Sequence, residues 1–73
     1  VPFNLGDYVR VKRQEERTDD QISYIEIIGK VVDRFNVWDN TGDHWRYWIQ
    51  DNVGNKVSFY EGIDKGEIVL AER

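Results

Sequence analysis

This chain of 73 residues lacks most of the side chains that carry protein chemistry: it has no cysteine, no methionine and a single histidine, His44. Without thiols, no disulfide framework can compensate for the small size, and thiolate zinc sites are excluded. Long apolar runs are missing too. Nothing approaches the length of a membrane span, and no signal-peptide pattern is present. The expectation is a soluble, cytoplasmic protein with no membrane partner. Positive charge is in short supply, with ten Lys and Arg against fourteen Asp and Glu, net −4. That balance argues against a strongly cationic binder of nucleic acid, while leaving room for a local basic stripe. Internal repeats and low-complexity segments are absent. The chain starts at Val1 rather than Met, which reads as a processed small protein or a piece of a larger one.

What is abundant is aromatic mass, 14% of the chain, and it has to supply the core. Residues 1–73 make one domain with a small interior. Each large ring buries roughly 150–250 Å², so a handful can fill it. Much of this mass lies in one stretch, residues 45–59. There Trp45, Tyr47 and Ile49 alternate with Arg46, Trp48 and Gln50, and Val57 and Phe59 with Lys56 and Ser58. This is the period-two pattern of two strands with unlike faces. Residues 51–55, rich in Asn and Gly, reverse the chain between them. A lone hairpin is marginal in water, so further strands must cover it.

Those strands can be read along the chain. Phe3 and Leu5 form an apolar lead-in, and Gly6-Asp7 marks a turn. Val9 and Val11 then point inward, with Tyr8, Arg10 and Lys12 outward. Residues 13–21 contain no apolar side chain and read as a long polar loop. Residues 22–35 form a long strand. Its inward set is Ile25, Ile27, Gly29 and Val31, its outward set Glu26, Lys30 and Arg34, and Gly29 permits a sharp bend. Residues 36–43 read as a second polar loop carrying Trp38. Residues 60–66 read as a tight turn anchored by Ile63, and residues 67–71 as a last strand. Five strands, no convincing long helix and turn signals at short intervals describe a small all-β barrel.

This layout resembles the SH3-like barrels, in particular the KOW-type and integrase C-terminal-like group. Gly6-Asp7-Tyr8-Val9-Arg10-Val11 is similar to the opening strand, and Gly29-Lys30-Val31-Val32 to the second. Residues 47–54 are similar to the central strand and its turn, and residues 63–72 to the closing strand. The resemblance implies a single five-stranded SH3-like barrel with a long first loop and a single 3-10 turn before the last strand. Phe3-Asn4-Leu5-Gly6-Asp7 and residues 48–56 are also similar to integrase carboxy-terminal domains, which bind DNA, although those are rich in Lys and Arg. Small photosynthetic subunits that share the barrel dock electron carriers. Fold analogy alone does not choose between these functions.

Among candidate constellations, His44 has Asp43 as a chain neighbour. Neighbours on a strand point to opposite faces, so no catalytic pair is built. The acidic pairs Glu15/Glu16 and Asp19/Asp20 do not match a calcium loop, and Asp39 with Asp43 makes no metal site. No catalysis, metal or cofactor is expected. Arg10, Lys12, Lys30 and Arg34 form one basic patch if the first two strands pair, with Tyr8 and Tyr24 as stacking faces for nucleic acid. Cross-strand pairing with Glu26 and the acidic loop is the plainer account of those charges. The aromatic surplus is the stronger signal. With Trp45, Tyr47, Ile49 and Phe59 inside, Trp48 and Tyr60 face outward. The opposite register buries Trp48 and exposes Trp45 and Tyr47. Either way, unless a long loop covers it, tryptophan is left at the surface, the chemistry of a binding hot spot. The reading is a non-enzymatic module that docks a protein partner through Tyr8, Trp38, Trp48 and Tyr60, in a groove between the two polar loops. The alternative is a nucleic-acid-binding domain using the basic stripe.

Overall fold

The computed structural model describes residues 2–16 and 22–71, with Glu16 described through its backbone alone. Five strands form one antiparallel sheet: β1 (Tyr8–Glu16), β2 (Ile22–Asp39), β3 (Gly42–Gln50), β4 (Lys56–Tyr60) and β5 (Gly66–Leu70). Their order across the sheet is β4-β3-β2-β1-β5, and the described residues contain no helix.

Alternation sorts the side chains as the sequence suggests. Val9 and Val11 of β1, Val31 of β2, Tyr47 and Ile49 of β3 and Phe59 of β4 are buried together as the core. Phe3, Ile27, Trp45 and Ile68 pack against it. The Phe3 ring meets Tyr47 edge-on at 5.5 Å, and Trp45 stacks on Tyr47 at 6.5 Å. Of the two registers open for the central hairpin, the one that turns Tyr47, Ile49 and Phe59 inward is therefore adopted.

β2 lies close against the Gln50 backbone at Gly29 and carries a bulge at Val32. Val31 pairs with Ile49, but the next pair is Asp33 with Trp48, so Val32 is the extra residue. A one-residue slip exchanges the two faces of every residue beyond it. Arg34, expected outward, consequently lies on the core side. It donates to the Phe3 carbonyl at 2.9 Å and to Asn4 Oδ1 at 3.2 Å, and its guanidinium sits 5.0 Å from the Trp45 ring centroid. It anchors the lead-in segment instead of joining a surface stripe.

Residues 36–43, read from sequence as a loop, are instead the end of β2, a tight turn and the start of β3. Asn36 pairs with Trp45, Val37 with His44 and Trp38 with Asp43. The polar residues concentrate at the reversal itself: Asp39 Oδ1 accepts from Thr41 N at 2.8 Å, and Gly42 has φ +115°. An Asx turn followed by a positive-φ glycine lets the ladder continue to its tip.

The first expected loop is shorter on its near side, because β1 continues to Glu16. Residues 17–21 of that loop, with the Asp19/Asp20 pair, lie outside the described residues. Gln14 pairs with Tyr24 and Glu15 with Ser23, and backbone pairing needs no apolar side chain. Arg13 faces the core side and reaches β4, where Nη1 donates to the Ser58 carbonyl at 2.6 Å.

Residues 61–65 turn tightly, with Ile63 N and Asp64 N both donating to the Tyr60 carbonyl at 3.1 and 2.8 Å. Asp64 Oδ2 accepts from Tyr60 N at 2.8 Å. No ladder joins β4 to β5, so the sheet is not closed.

Candidate functional site

The outward face of β2, β3 and β4 is built from the side chains that alternate with the core. Across it run three rows: Lys30, Gln50 and Lys56; then Asp33, Trp48 and Ser58; then Phe35, Arg46 and Tyr60. Arg46 lies over the Trp48 ring at 5.4 Å from the centroid. Phe35 is 47% exposed, while Trp48 and Tyr60 are half-buried along the sheet surface. A planar cation stacked on indole, flanked by two more rings, is pre-organised for contact. Its rotamers are already restricted before a partner arrives.

The four aromatics selected from sequence do not form one groove. Trp48 and Tyr60 share the outward face. Tyr8 is on the same side but farther away, paired with Lys30. Trp38 shares the side of β2 that carries Arg34 and projects from the opposite face at the tip of the β2–β3 hairpin, where it is 76% exposed. A groove between two loops is also absent on the β2–β3 side, since that segment is a hairpin. Sequence reasoning missed Arg46 and Phe35. Arg46 was legible, because it is two residues from Trp48 on the same strand. Phe35 was not, because the Val32 bulge moved it to this face.

Of the basic set, Arg10, Lys12 and Lys30 face outward from β1 and β2, while Arg34 does not. Lys12 pairs with Glu26 on one side and Glu67 on the other, and its ammonium lies 4.8 Å from the Tyr24 ring centroid.

A second cluster sits at the β2–β3 turn. Thr41 Oγ1 donates to Asp39 Oδ1 at 2.7 Å and lies 2.6 Å from His44 Nε2. With its proton given to the carboxylate, the hydroxyl accepts from His44, so Nε2 carries a hydrogen. This is the reverse of nucleophile activation, in which the hydroxyl donates to the imidazole. The cluster staples the turn, and His44 also meets the Tyr60 ring at 6.0 Å. Bonds from the Thr41 hydroxyl and N–H, helped by His44, hold the Asp39 carboxyl below its usual 3.8. A depressed carboxylate contributes stability that is present above its unfolded pKa and is lost as pH falls through the lower folded value. Asp39→Asn is therefore expected to cost stability at neutral pH, and the gap from wild type should narrow as pH drops below the usual carboxylate range. Urea unfolding at stepped pH reads this directly. A gap that stays constant into strong acid would contradict the staple.

Gln14, Ile63, Asp64 and Lys65 line a shallow open depression beside the β4–β5 turn. Among the described residues, no group of three or more His, Asp and Glu side chains is placed to hold a metal ion, and no helix is long and apolar enough to cross a membrane. Set against protein-family models, curated proteins and solved structures, the chain matches none of them, so a function for it has to be argued from the geometry above.

Proposed function

We propose that this chain is a non-enzymatic docking module that grips a protein partner through the outward face of β2, β3 and β4. The observation that carries the proposal is the row of Phe35, Arg46 and Tyr60, with Trp48 stacked beneath Arg46. Trp, Tyr and Arg are the side chains that dominate the energetics of protein interfaces. The three rows carry Lys30, Arg46 and Lys56 against Asp33, with Glu26 and Asp39 farther along the same side of β2, in a chain of net charge −4. Charge complementarity therefore favours a partner segment with carboxylates around an apolar anchor, the charges governing on-rate and orientation. The fold reading that accompanies it is an SH3-like barrel left partly open. Its support is the strand order β4-β3-β2-β1-β5 and the single turn before β5, where Ile63 N bonds back to the Tyr60 carbonyl.

A second reading has one observation in its favour. Arg10, Lys12 and Lys30 share the outward side with Arg46 and Lys56, beside several rings. That combination suits single-stranded nucleic acid. Affinity capture from native extract, with and without nuclease, tests both readings, using wild type, Phe35→Ala and Arg46→Ala. The docking reading expects a protein that survives nuclease treatment and is lost with either variant. Capture that disappears with nuclease and falls steeply with salt would replace it with the second reading. Capture unaffected by either substitution would remove this face from consideration.

A further inference from the structure

The open sheet has two edges, and the chain treats them differently. In β4 the odd residues bond toward β3, as Glu61 N does to the Trp45 carbonyl, so Lys56, Ser58 and Tyr60 present their backbone groups outward. Three of these six groups are occupied. The Ser58 carbonyl accepts from Arg13, the Tyr60 carbonyl accepts from Ile63 and Asp64, and Tyr60 N donates to Asp64 Oδ2. In β5 the odd residues bond toward β1. Ala71 N donates to the Tyr8 carbonyl at 2.8 Å, and Gln14 N donates to the Lys65 carbonyl at 2.7 Å. Gly66, Ile68 and Leu70 therefore turn both N–H and C=O away from the sheet. Among the described residues, these outward groups have no hydrogen-bond partner. β5, short and carrying one charge at Glu67, has no proline, no bulge and no lysine within the strand, three of the usual protections of an edge.

We infer that the β5 edge is a strand-pairing site and that its occupant is a second copy of this chain, related by a twofold axis at Ile68. Spacing and side chains select that register. The residues with outward backbone groups are Gly66, Ile68 and Leu70, symmetric about Ile68. Antiparallel pairing sets Ile68 opposite Ile68 of the second copy and Leu70 opposite Gly66. Each hydrogen-bonded pair exchanges two bonds, giving about six in all. Leu70, 67% exposed, then lies over a residue with no side chain, and the gap left by Gly66 is covered. Glu67 falls opposite Val69, so no like charges face each other directly, an arrangement that stabilises cross-strand pairs. One five-residue edge buries less area than a permanent dimer requires, so the association is weak and concentration-dependent. Higher salt strengthens it by screening the repulsion between two chains of net charge −4.

Sedimentation over a broad concentration range tests the pairing. The expected result is an average mass that climbs from 8.7 kDa toward twice that value and climbs sooner at higher salt. Leu70→Pro removes an outward N–H without touching the β1 ladder, and should leave a folded monomer at every concentration. Register is read by mild oxidation of single-cysteine variants, since the native chain has no thiol. Ile68→Cys should crosslink, its Cα atoms lying about 5.5 Å apart across the axis. Val69→Cys, displaced from its own counterpart, should not. Three results would overturn the inference: a wild-type monomer throughout, a dimer that survives Leu70→Pro with circular dichroism unchanged, or a monomer whose Ile68 and Leu70 amides gain exchange protection only on adding an unrelated extended peptide. The last would assign the edge to a foreign strand.

Discussion

Replacing Tyr47 with alanine is expected to destabilise the protein by about 3–5 kcal/mol, the range for deleting a buried ring. Domains of this kind have roughly 0.05–0.15 kcal/mol of stability per residue, so the loss removes a large share of the total and should lower the urea midpoint steeply. Tyr47 is completely buried and touches both the lead-in and β4. Its hydroxyl accepts from Phe3 N at 3.2 Å and donates to Glu61 Oε2 at 3.5 Å. Burial pushes the phenol above its usual 10.0, so it stays a neutral donor across the physiological range. Tyr47→Phe separates the two contributions. It keeps the ring and should cost only about 1 kcal/mol, the net worth of a hydrogen bond. Urea midpoints for the pair provide the check. Equal losses for the two variants would mean that the hydroxyl, and not the ring, holds the core together.

The second large effect is steric. A side chain at Gly29 would drive its Cβ into the Gln50 carbonyl oxygen, with Asp51 N also within 2.9 Å. Gly29 has no positive φ, unlike the turn glycines Gly6, Gly42, Gly54, Gly62 and Gly66. Any loss on substitution therefore reports crowding alone. Because the obstacle is backbone, it cannot swing aside as a flexible side chain would. Gly29→Val is expected to cost about 3 kcal/mol, the upper end for overpacking, and Gly29→Ala somewhat less. Chemical denaturation measures both. A change within about 0.5 kcal/mol for valine, typical of an indifferent surface position, would show that β2 does not need to approach β3 so closely there.

These two positions also show how unevenly the structure can be read in advance. Gly29 was assignable to the inward face by simple alternation, whereas alternation left Tyr47 with two possible faces and the structure chose the buried one. Arg34 and Phe35 were not, because Val32 bulges and inverts the alternation after it. Nothing local marks Val32 as the extra residue, since it is an ordinary strand former in an ordinary strand run. The tip of the β2–β3 hairpin was misread for a different reason. Asp39, Asn40, Thr41 and Gly42 are the side chains of an exposed loop. Here they serve a two-residue reversal, and the flanking Val37, Trp38, His44 and Trp45 remain in the ladder. Composition reports that a turn is present but not how few residues it uses. The outward face proposed for docking reflects both effects. Trp48 and Tyr60 share the outward face with Arg46, which the aromatic count alone does not select, while Trp38 faces the other way.

Period-two hydrophobicity was enough to specify five strands, the inward set Val9, Val11 and Val31, two alternative faces for the central hairpin, and the surplus of rings beyond what so small an interior holds. These are local properties, because a pleated backbone sends successive side chains to opposite sides wherever the strand is placed. The bulge at Val32, the face on which Phe35 and Arg46 meet, the Arg13 bridge to Ser58 and the bare edge of β5 came from pairing between distant segments. Hydrogen-bond register between strands is a property of two stretches of chain at once, and neither stretch records it alone.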